Sequence, residues 1–283
     1  MILQQYGIYF SYAALCFLLM VILKYLLNFR ANKVYSAEAE LSGGNIAVGL
    51  RRSGAQLGLA IALLGALSGS SAETLVSDLL LTAGYGALAI GFILSTLYIA
   101  DRAVLPGVRN LEELKNNNIA VGIVEFGMLI ATGIIAYASI LGEQGGVLSS
   151  VVHFAAGQAI LILLTLVFEK VVTRKVAFIP AIAAGEIASG IYLSGKLIAY
   201  SLILKSAIIG ETHAITVTDK AMEFLTFAFV GMLFLYMFEL LLDKFIITST
   251  TVTEILSDNK IVQSLQLSAC KVGIALILSA GIL

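Results

Sequence analysis

Nine polar or charged side chains stand inside stretches that are otherwise apolar: Arg51, Arg52, Gln56, Glu125, Glu186, Lys196, Gln263, Gln266 and Lys271. In hydrocarbon such a residue is expensive and is by default paired or functional. Two kinds of chemistry fit the set. Opposite charges on facing helices can close into ion pairs that fix register and orientation, or the residues can line a polar path for a small ion or charged solute. Mixed signs do not match a single-charge selectivity ring; they suit a proton-coupled carrier or a small charged substrate better. Arg51 and Arg52 lie six and seven residues past Asn45, and Glu125 lies seven past Asn118. At 1.5 Å per residue that depth is roughly 10 Å for each, so Arg52–Glu125 is the expected ion pair. Lys196 and Lys271 fall near the middle of their stretches, with Glu125 and Glu186 their nearest counter-charges by depth. Lys205, Glu223 and Glu239 lie close to the ends of theirs and read as interfacial.

Other chemistry finds little footing. There is no His-Glu-x-x-His, no Gly-x-Ser-x-Gly and no glycine-rich phosphate loop, and no soluble portion is large enough for a catalytic domain. The expectation is a protein that is not an enzyme and has no cofactor. His153 and His213 stand far from any Cys or His partner, so no metal-ligand spacing emerges. Cys16 and Cys270 lie in apolar runs, the ordinary place for a free thiol. With a formal net charge of -1 there is no basic surface to neutralise phosphates, which excludes nucleic-acid binding.

The elements that must position these residues are membrane helices. Of 283 residues, 59% are hydrophobic and only 12% charged, and the mean hydropathy is +0.99. So few charges cannot cover a water-facing surface, whereas an ordinary soluble domain carries about 25%. A bilayer core needs about 20 apolar residues per helix. Eight such spans can be drawn: 6–27, 45–69, 79–100, 118–141, 147–168, 181–209, 221–242 and 261–283. The first lacks the basic start and small-residue cleavage site of a signal peptide and reads as a permanent helix. Pro106 and Pro180 fall in the connections.

Lys and Arg set the expected orientation. Lys24, Arg30, Lys33, Arg102, Arg109, Lys115, Lys170, Arg174, Lys175, Lys244 and Lys260 all flank connections one–two, three–four, five–six and seven–eight, whereas only Lys220 lies on the other side. Those four connections are therefore expected in the cytoplasm of a plasma-membrane protein, with both termini outside.

Spans two, four, six and eight are copies of one another. Asn45-Ile46-Ala47-Val48-Gly49-Leu50 recurs as Asn118-Ile119-Ala120-Val121-Gly122-Ile123 at an offset of 73, with Gly54 matching Gly127 and Gly58 matching Ala131. Ile187-Ala188-Ser189-Gly190-Ile191 and then Gly195 repeat the pattern in span six, with Glu186 at the Asn position. Span eight is a faded copy, with Gln263 and Ser264 at the Val-Gly pair and Ala269 at the next small position. Asp101-Arg102 and Asp243-Lys244 agree at an offset of 142. The fold is accordingly expected to be all-α and integral to the membrane. It comprises two four-helix halves, 1–142 and 143–283, in the same orientation, each made of two helical hairpins. The small residues Gly49, Gly54, Gly122, Gly127, Gly190 and Gly195 allow close helix approach, Asn45 and Asn118 are favoured helix starts, and the even-numbered spans are placed nearer the centre.

The stretch Leu114-Lys115-Asn116-Asn117-Asn118-Ile119-Ala120-Val121-Gly122 resembles the YjfL-like bacterial membrane proteins, classed as domain of unknown function 350, here in a tandem form covering nearly the whole chain. The resemblance implies four-helix units with an Asn-rich start and small residues on helices two and four, no established activity, and a setting similar to that of accessory genes of envelope-stress systems. Two functions remain open at this point. One is transport or sensing of a small ion or solute through spans two, four, six and eight. The other is a membrane scaffold or accessory subunit whose basic loops meet a cytoplasmic protein, with the bilayer and no nucleic acid as its surroundings, as a monomer or homodimer.

Overall fold

The computed structural model of the chain describes residues 2–69, 72–141, 146–171, 178–210, 217–245 and 250–281. Among them every regular element is helical. The long helices are α1 (Ile2–Ala31), α3 (Ile46–Ser68), α4 (Leu75–Ile99), α6 (Ile119–Leu141), α7 (Gly146–Val171), α9 (Ile187–Ile209), α10 (Val217–Phe245) and α12 (Ile261–Gly281). Between them lie short helices of 6 residues each, α2 (Ala37–Ser42), α5 (Asn110–Lys115), α8 (Phe178–Ala183) and α11 (Val252–Ser257). A π-helical turn, Ala100–Val104, prolongs α4. The boundary expected between 142 and 143, His213, Arg174 and Lys175 lie outside the described residues, as do the side chains of Asp101, Lys170 and Asp243.

Among the described residues, composition and length qualify 7 helices to cross a bilayer, which makes this a multi-pass membrane protein. The long helix not among them is α3. It has the same 23 residues as α6 and α9, but Arg51, Arg52 and Gln56 lower its hydropathy. The eight expected spans therefore reduce to seven on apolarity alone.

The connections hold a device repeated four times. Each short helix is followed by a residue in the left-handed region and then by a long helix. The left-handed residues are Gly44, Asn117, Gly185 and Asn259, with φ of 81°, 56°, 90° and 48°. Glycine and asparagine are the residues that tolerate this conformation. Backbone bonds close each turn: Asn45 N to Glu40 O at 3.0 Å, Asn118 N to Glu113 O at 2.9 Å, Glu186 N to Ala181 O at 3.0 Å and Lys260 N to Ile255 O at 2.9 Å. This is the Schellman closure of a helix C-terminus. It also corrects the expectation of an unbroken span from Ala181: the chain ends α8 at Ala183, turns at Gly185 and restarts as α9.

The long helices α3, α6, α9 and α12 pack side by side in chain order, while α1 and α4 back the first half and α7 and α10 the second. Because each of the four begins after a short helix at the same end, neighbours in the row run parallel. The expected central place holds for α6 and α9, whose apolar stretches are 83% and 78% buried, but that of α12 is only 28% buried. It and α3 are the two ends of the row, and this corrects the expectation that all four even-numbered spans are central.

Small residues set the spacing. A Cβ on Gly54 would lie 2.8 Å from the Phe126 backbone, one on Gly58 2.4 Å from the Leu129 carbonyl, and one on Gly122 2.7 Å from Ala47 Cα. The next interface repeats this: Gly190 faces the Ala120 carbonyl at 2.7 Å and Gly127 faces Ser194 Cα at 2.6 Å. In the third, Gly195 faces Ser268, and Ser264 occupies the glycine position while donating its hydroxyl to the Ala188 carbonyl at 2.6 Å. The expected helix-packing residues thus meet partners at all three interfaces. Gly49 is the exception, with only Leu41 Cδ2 at 3.9 Å. Overpacking a fitted interface typically costs about 1–3 kcal/mol. Gly122→Leu is therefore expected to lower the unfolding midpoint of the detergent-solubilised chain, whereas Gly91→Leu on α4, where a Cβ meets nothing within 4 Å, leaves it unchanged.

Candidate functional site

The first repeat-specific polar feature is the start of each long helix. Asn45 Oδ1 accepts from Val48 N at 3.0 Å, the N-cap bond. Its Nδ2 donates to Glu40 Oε2 at 2.9 Å and to the Leu114 carbonyl at 2.9 Å, with the Lys115 carbonyl 3.3 Å away. Asn118 repeats the pattern, donating to Glu113 Oε2 at 3.0 Å and to the Ala183 and Ile182 carbonyls at 3.0 and 3.2 Å. Each asparagine thereby ties the start of one long helix to the C-terminal carbonyls of the next short helix. Glu186 stands at the same place on α9, with no side-chain cap bond. A carboxylate has no N–H to offer carbonyls, so this position departs from the motif in chemistry as well as in letter.

The intramembrane charges form two separate groups. Arg51 Nε lies 3.1 Å from Glu125 Oε2, joining α3 to α6, with side chains 5% and 2% exposed. The expected Arg52–Glu125 pair is not formed. Residues 52 and 125 are repeat-equivalent, and in a row of parallel copies equivalent side chains point the same way rather than at each other. Arg51, one residue back and turned by about 100°, faces α6. Arg52 instead joins a polar cluster at the end of α1 and α2. There its Nη2 donates to Asn28 Oδ1 and lies 3.8 Å from Glu38, while Lys24 lies 3.0 Å from the same carboxylate. Hydrogen bonds from Lys24 and Asn28 hold the exposed Glu38 carboxyl below its ordinary pKa.

In the second half, Lys196 on α9 and Lys271 on α12 both approach Glu239 on α10, each Nζ at 3.6 Å from a different carboxylate oxygen. Both lysines are 2% exposed in their side chains and Glu239 12%. Lys271 Nζ also sits 3.8 Å from the centre of the Tyr192 ring, a cation–π contact. The expected partners Glu125 and Glu186 are thus replaced by Glu239. The residue looked interfacial because span seven was drawn to end at 242; α10 runs on to Phe245, which sets Glu239 almost a turn deeper.

The remaining expected residues scatter. Gln56 Nε2 donates to the Met20 carbonyl at 3.2 Å, joining α3 to α1. Gln263 is part-buried and Gln266 exposed on α12. The nine residues are therefore not gathered into one path. A third polar group, Thr96, Thr132 and Gln158 on α4, α6 and α7, is not among the residues singled out in the sequence. Gln158 Nε2 donates to Thr132 Oγ1 at 3.0 Å, Thr132 donates to the Met128 carbonyl at 2.8 Å, and the Thr96 hydroxyl is 3.2 Å away. All three residues are buried. A glutamine opposite threonines within apolar helices was the signal available. A cavity of about 10 Å³ lies between the end of α1 and α3, bordered by Tyr35, Arg51 and Arg52, room for roughly one water.

A multi-pass helical membrane protein built from tandem repeats is defined by these features. Residues 1–140 and again 143–282 match the family model described as Domain of Unknown Function (DUF350), and the chain belongs to that family in a two-unit form. No curated protein and no solved structure gives a significant match.

Removing one partner of a buried ion pair typically costs about 3–5 kcal/mol, while replacing both by apolar groups is often neutral. Arg51→Met and Glu125→Leu are each expected to destabilise the solubilised protein by about that amount, with the double variant close to wild type. A thermal or denaturant double-mutant cycle reads the coupling. The same cycle with Arg52→Met in place of Arg51→Met is expected to show none.

Proposed function

We propose that this chain is a non-transporting membrane scaffold or accessory subunit of the envelope-stress kind, with its intramembrane charges serving helix register. The observation that carries this reading is the Arg51–Glu125 contact, 3.1 Å long with both side chains at most 5% exposed. It lies between two of the closest-packed helices. The separation of the polar residues into distinct groups supports it further. In this reading α3 is the eighth span: it matches α6 and α9 in length and lies between α1, α4 and α6. The protein resides in the plasma membrane with both termini outside. The basic residues of the connections, among them Arg109, Lys115 and Lys260, face the cytoplasm and offer a docking place for a protein partner. It has no catalytic role, needs no cofactor and does not bind nucleic acid.

A second reading, movement or sensing of a small ion or solute, draws on a different observation. Lys196 and Lys271 converge on one carboxylate, Glu239, which keeps 12% exposure. An ion reaching that carboxylate would compete with the lysines for it, and α10, the helix that carries Glu239, is the more peripheral element.

Reconstituted proteoliposomes separate the two. The scaffold reading expects proton, sodium and potassium fluxes equal to those of empty vesicles under imposed gradients. A flux present in the wild type and lost in Glu239→Gln would instead establish the carrier. Topology is checked independently: with the native cysteines removed, Lys115→Cys is expected to react with an impermeant maleimide only after the cytoplasmic face is opened.

A further inference from the structure

The row α3–α6–α9–α12 is made by one interface used three times. On each of α3, α6 and α9 a line of small residues faces forward, onto the next helix. Its members are Gly54, Gly58 and Gly65 on α3, with repeat equivalents Gly127, Ala131 and Ala138 on α6 and Gly195, Ala199 and Ser206 on α9, and all nine are buried. The equivalents on α12 are Ala269, Gly273 and Ala280. They are still small, yet Ala269 and Ala280 are exposed and a Cβ on Gly273 would meet nothing within 4 Å. Among the described residues nothing uses their smallness. Gln266, also exposed, stands where α3 has Arg51 and α9 has Tyr192, the forward-pointing residues that reach across to the next helix. An amide turned to hydrocarbon is costly; one that finds a hydrogen-bond partner on another helix is not.

The other end of the row is the complement. Gly122 and Phe126 on α6, Gly190 and Ser194 on α9, and Ser264 and Ser268 on α12 face backward, onto the preceding helix. Their equivalents on α3 are Gly49 and Ser53. Ser53 is exposed, and Gly49 meets only Leu41 Cδ2 at 3.9 Å.

We infer that a second copy of this chain continues the row, its α3 seated on the forward face of α12, so that Ser53 of one copy lies at Ala269 of the other. The contact is head-to-tail, and its two halves are different surfaces. A pair so joined still has one free α3 and one free α12, and heterologous contacts of this kind build rings or open rows rather than closed dimers. The inference rests on the packing of the row and holds under either reading of function.

Cysteine cross-linking in native membranes tests it, in a chain carrying Cys16→Ala and Cys270→Ala. Ser53→Cys and Ala269→Cys are placed on differently tagged copies, expressed together and oxidised. A mixed dimer is expected on co-expression, and no cross-link from either variant alone. With both cysteines in one chain a ladder beyond dimer is expected. Adding Gly273→Leu is expected to cut cross-linking by about tenfold, in line with overpacking at a fitted contact. The unfolding midpoint of the solubilised chain is then expected to be unchanged, since a Cβ at this position meets nothing within 4 Å. Two outcomes would overturn the inference: cross-linking no greater than for Phe17→Cys on the outer face of α1, or each variant cross-linking to itself, which would mean a two-fold contact.

Discussion

Close approach of parallel helices is the constraint on which this structure depends. Lipid offers no hydrophobic drive between helices, so association in a bilayer relies on van der Waals contact and interhelical hydrogen bonds. Gly122 against Ala47, Gly190 against Ala120 and Gly127 against Ser194 bring backbones together where any larger side chain would hold them apart. In the third interface the serines do the same by another route, Ser264 and Ser268 donating to the Ala188 and Ile191 carbonyls at 2.6 and 3.1 Å. Parallel neighbours also bring their N-termini together at one end, which is electrostatically unfavourable. The asparagine motif offsets this: Asn45 and Asn118 each bring the carbonyl end of a short helix to the start of a long one.

The buried charges follow from that arrangement. With α3 and α6 in backbone contact, Arg51 and Glu125 are held at one depth and close on each other. The second half solves the same problem differently. Lys196 and Lys271 come from the α9–α12 pair, but their carboxylate comes from a flanking helix, α10. The two halves share a backbone plan and differ in polar content. Whatever the protein does with its charges is therefore not a property of the repeat as such.

Much of this was legible in the residues. The repeat was visible because the same small residues recur at offsets near 73 and 142, and at the three interfaces of the row small residues stand where the backbones meet. The short helices α2, α5, α8 and α11 were not legible. At 6 residues each they are too brief to show a period, and their Schellman ends depend on two glycines and two asparagines that read simply as loop residues. Glu239 was visible but misjudged, because depth counted from an assumed helix end is wrong by as much as the end is. The Thr96–Thr132–Gln158 group was missed because neutral side chains give no sign of a partner.

Sequence by itself determined the membrane class, the four-fold recurrence of one helix pattern, and which residues would be small, since composition and spacing are properties of the chain alone. Tertiary structure decided who faces whom. Repeat equivalence states that two residues have the same surroundings, and in a row of parallel helices the same surroundings mean the same direction. Equivalent residues such as Arg52 and Glu125 therefore cannot meet, and the neighbour Arg51 does. Only the packed row could show that, and only the row has the two unlike ends, α3 and α12, that a sequence of four similar helices conceals.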